Sequence, residues 1–202
     1  MNILLLPKIT SFYKGQYEYC IDKNWLAFLS ETFPKSQVTI PTINTKINSL
    51  NLIISTGGNN IISYSNKIED KLRNKIDTKY YNLSKKHHIP FVGICYGAQL
   101  IAEKNNFKIN KTKKHVKSHK TKLLGNTKFS NLGKREMRTN SFHNYLIKDI
   151  NNKFEKLAIA DDKSIELFSH KDSKILGMMW HPERYKRFKS VDKNIFKLFI
   201  KN

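Results

Sequence analysis

The chain has 202 residues, with 37 Lys and Arg against 16 Asp and Glu, a formal charge of +21 and 39% hydrophobic residues. That length suits a single domain, 1–202, with a core large enough to need no covalent staples. Two cysteines, Cys20 and Cys95, exclude a disulfide framework, and no apolar run approaches the length of a membrane span.

The apolar residues 1–7 are too short for a secretion signal and follow no basic segment, so the expected compartment is the cytoplasm, without membrane attachment. A charge of +21 raises the question of nucleic acid. The lysines are spread along the whole chain, however, and they accompany many Asn and Ile, residues of A/T-rich codons. A dedicated nucleic-acid surface is therefore not expected, though a basic protein would still draw anionic substrates.

Residues 2–6 read as a first buried strand. Ile21, Trp25, Phe28, Leu29 and Phe33 fall on one helical face that Pro34 ends. Strands follow at 38–40 and 50–55, the second running into Thr56-Gly57-Gly58-Asn59. Residues 68–86 read as a lysine-rich helix turning Leu72, Ile76, Tyr80 and Leu83 inward, and 89–94 as the next strand. This alternation argues an α/β fold whose mostly parallel sheet is covered on both faces. Ligands in such sheets lie beyond the carboxyl ends of the strands, where Gly57-Gly58 and Cys95 would be neighbours. Residues 108–122 look like exposed strand or loop. Shorter strands at 136–140, 156–160, 164–169 and 174–180 are separated by polar turns that suit antiparallel hairpins. A helix at 190–201, with Ser190 as N-cap and Val191, Ile195, Leu198 and Phe199 inward, closes the chain.

The segment Gly93-Ile94-Cys95-Tyr96-Gly97 stands where that fourth strand meets a new helix. A lone cysteine reads by default as core. Here small residues on both sides permit the sharp turn that pushes one side chain out at a strand end, as in a nucleophile elbow. The helix that follows aims its unpaired N–H groups at the sulfur, which favours a thiolate and, later, an oxyanion. The best-placed base is His181 in Met179-Trp180-His181-Pro182-Glu183: an apolar strand delivers it, and Glu183 can accept from its second ring nitrogen. Taken alone, His181 could equally be an ordinary turn histidine. His87, His88, His115, His119, His143 and His170 show no metal-ligand spacing and read as surface or pocket-rim residues, with no metal or cofactor expected.

Gly-Ile-Cys-Tyr-Gly-Ala-Gln-Leu-Ile-Ala together with Trp-His-Pro-Glu resembles the class I glutamine amidotransferases over nearly the whole chain. The resemblance implies a flavodoxin-like three-layer fold, a Cys95–His181–Glu183 triad and cleavage of a γ-glutamyl amide through a thioester. It also implies an oxyanion hole from the N–H groups of Gly58 and Tyr96. Gln99 and the Asn140-Ser141-Phe142-His143 segment would hold the α-amino and α-carboxylate end. Asn-Ser-Phe-His and Thr-Gly-Gly-Asn are similar to the γ-glutamyl hydrolase branch, which includes γ-glutamyl-γ-aminobutyrate hydrolases. The chain is shorter than typical members of that branch, and Ala98 stands where many carry Met or a larger residue, so the leaving group stays open.

The leading expectation is a stand-alone hydrolase of a small γ-glutamyl conjugate. One such conjugate within the family is a nucleotide phosphoramidate (a γ-glutamyl-CDP-amidate) of bacterial capsule modification, which the positive charge would suit. The alternative is a glutaminase subunit supplying ammonia to a partner synthetase. A regulatory or nucleic-acid-binding protein on a retired scaffold is a third reading, against which the complete triad argues. Lys117, Lys120 and Arg138 are the candidate clamps for an anionic leaving group.

Overall fold

The computed structural model describes residues 1–45, 49–113, 115–125, 129, 132–133 and 135–201. In chain order the elements are β1 (Asn2–Leu6), β2 (Lys8–Thr10), β3 (Glu18–Cys20), α1 (Asn24–Thr32), β4 (Gln37–Thr39), β5 (Leu52–Ser55), α2 (Ile68–His87), β6 (Phe91–Ile94) and α3 (Tyr96–Lys104). The second half holds β7 (Lys108–Lys111), β8 (His119–Leu123), β9 (Arg135–Thr139), β10 (Tyr145–Asp149), β11 (Phe154–Ala160), β12 (Ile165–His170), β13 (Ile175–Met178) and α4 (Ser190–Lys201). No helix among the described residues is long and apolar enough to cross a membrane.

One mixed sheet runs β4-β1-β5-β6-β13-β12-β11-β8-β9, with β10 joining β12 to β7. The pairs from β4 to β13 are parallel, and those beyond β13 are antiparallel. The expected α/β class, parallel at the centre with antiparallel strands from the C-terminal half, is what the chain adopts. The strand period of two sorts β1 onto two cores. Ile3 and Leu5 join Trp25 and Phe28 of α1 and Ile195 and Phe196 of α4 on one face. Leu4 and Leu6 join Tyr80 of α2 and Ile101 of α3 on the other. Trp25 and Phe28 are essentially buried, each contributing about 1.5–3 kcal/mol of transfer free energy.

Three expectations change. Leu72 is exposed rather than inward, because α2 turns an ion pair towards the sheet: Arg73 Nε lies 2.8 Å from Asp77 Oδ1, both fully buried. Arg73 also donates to Thr56 O at 3.0 Å, and Ser55 Oγ donates to Asp77, so α2 pins the turn after β5. Removing one partner of such a pair leaves a buried charge and costs about 3–5 kcal/mol. The hairpin β2–β3 and strand β10 are additions, both short and too weakly alternating to stand out in the sequence. Finally, β13 is not a simple hairpin strand: it pairs antiparallel with β12 and parallel with β6.

Candidate active site

Neighbouring parallel strands bring Cys95 and His181 together. Met178, last residue of β13, sits opposite Ile94, last of β6, and Cys95 N donates to Met178 O at 2.8 Å. Cys95 holds φ 50° and ψ −96°, a conformation rare for any side chain other than glycine, and it is stored at the tightest point of the turn. The surroundings enforce it. A Cβ on Gly93 would run into the backbone of Gly97, and one on Gly97 into Ser55. Both glycines are therefore sterically required. Tyr96 opens α3, so its N–H is one of the helix's unpaired donors, while its ring is buried beneath the Arg73 guanidinium, 5.0 Å from the centroid.

His181 is buried and hydrogen-bonds through Nδ1 to Glu183 Oε1 at 2.7 Å. Pro182–Arg184 form a 3₁₀ turn, closed by Arg184 N donating to His181 O, which folds Glu183 back onto the ring. Burial by itself would depress the imidazole; the adjacent Cys95 sulfur and the Glu183 carboxylate override it and raise His181 to about 9. Gly57 lies against both partners: a Cβ there would fall on His181 Cε1 and within 3.2 Å of Cys95 Cβ. The sequence expectation that the Gly57-Gly58 turn and Cys95 are neighbours holds.

A cleft of about 330 Å³ opens over these residues, lined by Gly58, Cys95, Gln99, Phe142, Asn144, Tyr145 and His181. Its basic side chains are Lys8, packed against Gly58, and Arg184. Lys117, Lys120 and Arg138 do not line it, and Arg138 instead donates to Ser118 O. Gly58 has φ +124°, open only to glycine. Phe142 is half exposed, edge-on to His181 and stacked under Arg184, whose guanidinium lies 5.2 Å from its centroid.

Asn140 and Ser141 are turned to other tasks than the glutamyl contact expected of them. Asn140 Nδ2 donates to His181 O and its Oδ1 accepts from His181 N, both at 2.8 Å. Ser141 is buried and donates to His115 O at 2.6 Å. Neither lines the cleft. Cys20 is nearer than its sequence position implied, since it shares a small cavity with Gly57, Glu183 and Arg184.

The expectation of surface or pocket-rim histidines fails for His115; His143, though buried, lines the cleft, as a rim residue would. His115 and His143 are buried together, with Glu166 of β12 between them. Sequence spacing could not show this, because the three come from separate segments. The available signal was Glu166 itself, a carboxylate inside the apolar run Ile165-Glu166-Leu167-Phe168.

Comparison with known proteins gives the family and the fold. The family model described as glutamine amidotransferase class-I matches residues 28–202. A γ-glutamyl-CDP-amidate hydrolase of Campylobacter jejuni is 34% identical over 132 residues, covering 65% of this chain and 62% of that protein, so the chain spans somewhat less than two thirds of that relative's length. A glutamine-hydrolysing GMP synthase subunit of Methanobrevibacter smithii is 29% identical over 174 residues, 84% of this chain and 83% of the other. Among solved structures, a candidate GMP synthase subunit of Thermoplasma acidophilum superposes over 100% of this chain and 92% of its own, with a TM-score of 0.75 at 21% identity.

Proposed function

The chain belongs to the class I glutamine amidotransferase family, a family of amide hydrolases of the glutamine-amidotransferase type, and within it we propose a stand-alone hydrolase of a γ-glutamyl conjugate, carried out by a single domain, 1–202, in the cytoplasm. The observation that carries the reading is the Cys95–His181–Glu183 constellation at the carboxyl ends of adjacent parallel strands, above a cleft with basic walls.

In this reading Cys95, as thiolate, attacks the γ-carbonyl carbon. The carbonyl π electrons move to oxygen, which is met by the N–H groups of Gly58 and Tyr96. His181 gives its proton to the departing nitrogen, the C–N bond breaks and a thioester remains. Water then adds with His181 taking its proton, and the C–S bond breaks to release glutamate and the thiolate. Glu183 holds the ring throughout and stabilises its charged form whenever both nitrogens carry hydrogen. Gln99 and Phe142 are the proposed contacts for the α-amino and α-carboxylate end, with Asn140 and Ser141 shaping the wall behind them. No cofactor enters this scheme.

The leaving group we favour is anionic, a γ-glutamyl nucleotide phosphoramidate of the γ-glutamyl-CDP-amidate type. Lys8 and Arg184 line the cleft, and a phosphate on the leaving group would find its charge partners in them. The 34% identity to the Campylobacter jejuni hydrolase supports the same choice. The second reading, a glutaminase subunit serving a synthetase, rests on the similarity to the Methanobrevibacter smithii protein. A panel of γ-glutamyl amides with neutral, cationic and anionic leaving groups, assayed for glutamate release by the isolated chain, separates them. The expected result is fast turnover of the anionic conjugate that declines as salt rises. Turnover of glutamine alone, and only after a synthetase is added, would establish the second reading instead.

A further inference from the structure

Behind the Asn140–Tyr145 segment, three imidazoles converge on one carboxylate. His115 Nδ1, His119 Nε2 and His143 Nε2 lie 3.3, 3.4 and 3.9 Å from Glu166 Oε1. The side chains of His115, His143 and Glu166 are at least 95% buried, and that of His119 is 17% exposed. Among the described residues, none of these nitrogens and neither Glu166 oxygen makes a well-aligned hydrogen bond. Burial would raise the Glu166 carboxyl, but His115 and His119 lie close enough for each to lower it, and it stands below its ordinary value.

The far side of two rings fixes their protons. His115 Nε2 faces Asp162 Oδ2 at 3.1 Å, and a carboxylate oxygen only accepts, so that nitrogen carries hydrogen. His143 Nδ1 donates to Tyr145 O at 2.8 Å. In neutral rings the inward nitrogens of His115 and His143 are then bare lone pairs aimed at an acceptor, an arrangement that is repulsive unless a proton or a metal ion lies between. Burial would lower His115, but the two carboxylates raise it above its ordinary value, so proton and metal compete for that position.

We propose that His115 Nδ1, His143 Nε2 and Glu166 Oε1 form a structural site for a divalent transition-metal ion of the zinc class, with His119 Nε2, 3.4 Å from Glu166 Oε1, as a fourth donor that swings in when the ion binds. Four donors at about 2.0–2.1 Å from a tetrahedral centre stand about 3.3–3.4 Å apart. His115 and His119 stand at that distance from Glu166 Oε1, and His143 somewhat beyond it. His115, His143 and Glu166 offer atoms within 4.8 Å of one another, so an ion would draw these three inward, and His119 would have to move further to join them. Imidazole with a single carboxylate suits zinc-like ions over calcium or magnesium, which take oxygen shells. The Asp162–His115 contact is the outer hydrogen bond such sites use to fix tautomer and ring orientation. A dication would offset the charge of buried Glu166 and, at the rim, of partly exposed Asp162.

The ion would tie three segments together. His143 N and Ser141 Oγ both donate to His115 O, so the loop before β8 is already laced to the segment that carries Asn140 and Phe142. Glu166 anchors both to β12, and its carbonyl accepts from Met179 N, two residues before His181. The site therefore holds the cleft wall without touching the reacting atoms, and it stands independently of which conjugate is cleaved.

The test uses the 202-residue chain, stripped with a chelator and titrated with Co²⁺, followed by visible absorption and thermal melting. One Co²⁺ per chain should bind with tetrahedral d–d bands and no thiolate charge-transfer band, raise the melting temperature, and be displaced by Zn²⁺. Glu166→Gln and His115→Ala should abolish the bands. Should those buried changes prevent folding, Asp162→Asn and His119→Ala decide. Asp162→Asn keeps an oxygen for the hydrogen bonds from Ser164 and should weaken Co²⁺ binding about 10- to 100-fold, with His119→Ala weakening it as well. No saturable Co²⁺ binding by the folded wild type, binding unchanged in both of these variants, or a thiolate band showing the ion on Cys95 would each overturn the proposal.

Discussion

The side-chain amide of Asn140 brackets the backbone of His181, donating to its carbonyl and accepting from its N–H, each at 2.8 Å. A strand end has no ladder partner beyond it, and these two bonds supply one. Asn140→Ala should therefore lower kcat by up to about 100-fold, the scale of loss for an ångström of misplacement, while KM changes little. A raised KM at unchanged kcat would return Asn140 to substrate binding. Asn140→Asp, which keeps only the acceptor, should fall between the two.

Cys95 is expected to be the essential thiol. Cys95→Ala should show no turnover, and iodoacetamide should inactivate the wild type by labelling Cys95, as peptide mapping would read. Cys20→Ser should keep activity within about threefold, since it borders the Glu183 cavity without facing the cleft. Full activity in Cys95→Ala would end the hydrolase reading.

The pH profile should report His181. Its imidazolium is favoured up to about 9, above the ordinary value, so the acid that protonates the leaving nitrogen is present at neutral pH and lost as pH rises through about 9. The alkaline limb of kcat/KM should fall there. Stability from the raised value has the same sign: fully present below about 6.5 and lost through about 9. Glu183→Gln removes one of the charges that raise His181 and should move the limb to lower pH. His181→Ala should lose nearly as much activity as Cys95→Ala, and Glu183→Gln less. An unmoved limb in Glu183→Gln would show that the carboxylate does not set the proton affinity.

Gly57 and Gly97 should fail differently. Gly57→Ala pushes a methyl against the imidazole, so kcat should drop about 100-fold or more with melting nearly unchanged. Gly97→Ala meets Ser55 backbone, which cannot yield, so the melting temperature should fall with activity. Paired melting curves and kinetics distinguish the two outcomes.

The central sheet and the elbow were legible because their signals are local: β-branched runs at 52–54 and 91–94, and two glycines framing Cys95. The inward face of α2 was not, because a buried Arg73–Asp77 pair looks like solvated charge until both ends are seen to be covered. The glutamyl roles expected of Asn140 and Ser141 rest on a pattern that fixes position in the chain, not the direction of a side chain. The histidine cluster lay beyond any spacing rule, since Glu166 is brought in by the pairing of β10 with β12 and His115 by the bonds its carbonyl accepts from Ser141 and His143.

The placement of β13 between β6 and β12 also sets an order of events on the ribosome. Six strands and α3 are translated between β6 and β13, so the nascent sheet carries an open edge in its middle. Ile175 follows Ile94 by 81 residues (175 − 94), which at 5–20 residues per second means about 4–16 s of exposure. Holding factors that shield such edges would matter most in that interval. The strand that finally fills the gap is also the one that leads into the base, so a partly made chain has no means of acting on its substrate.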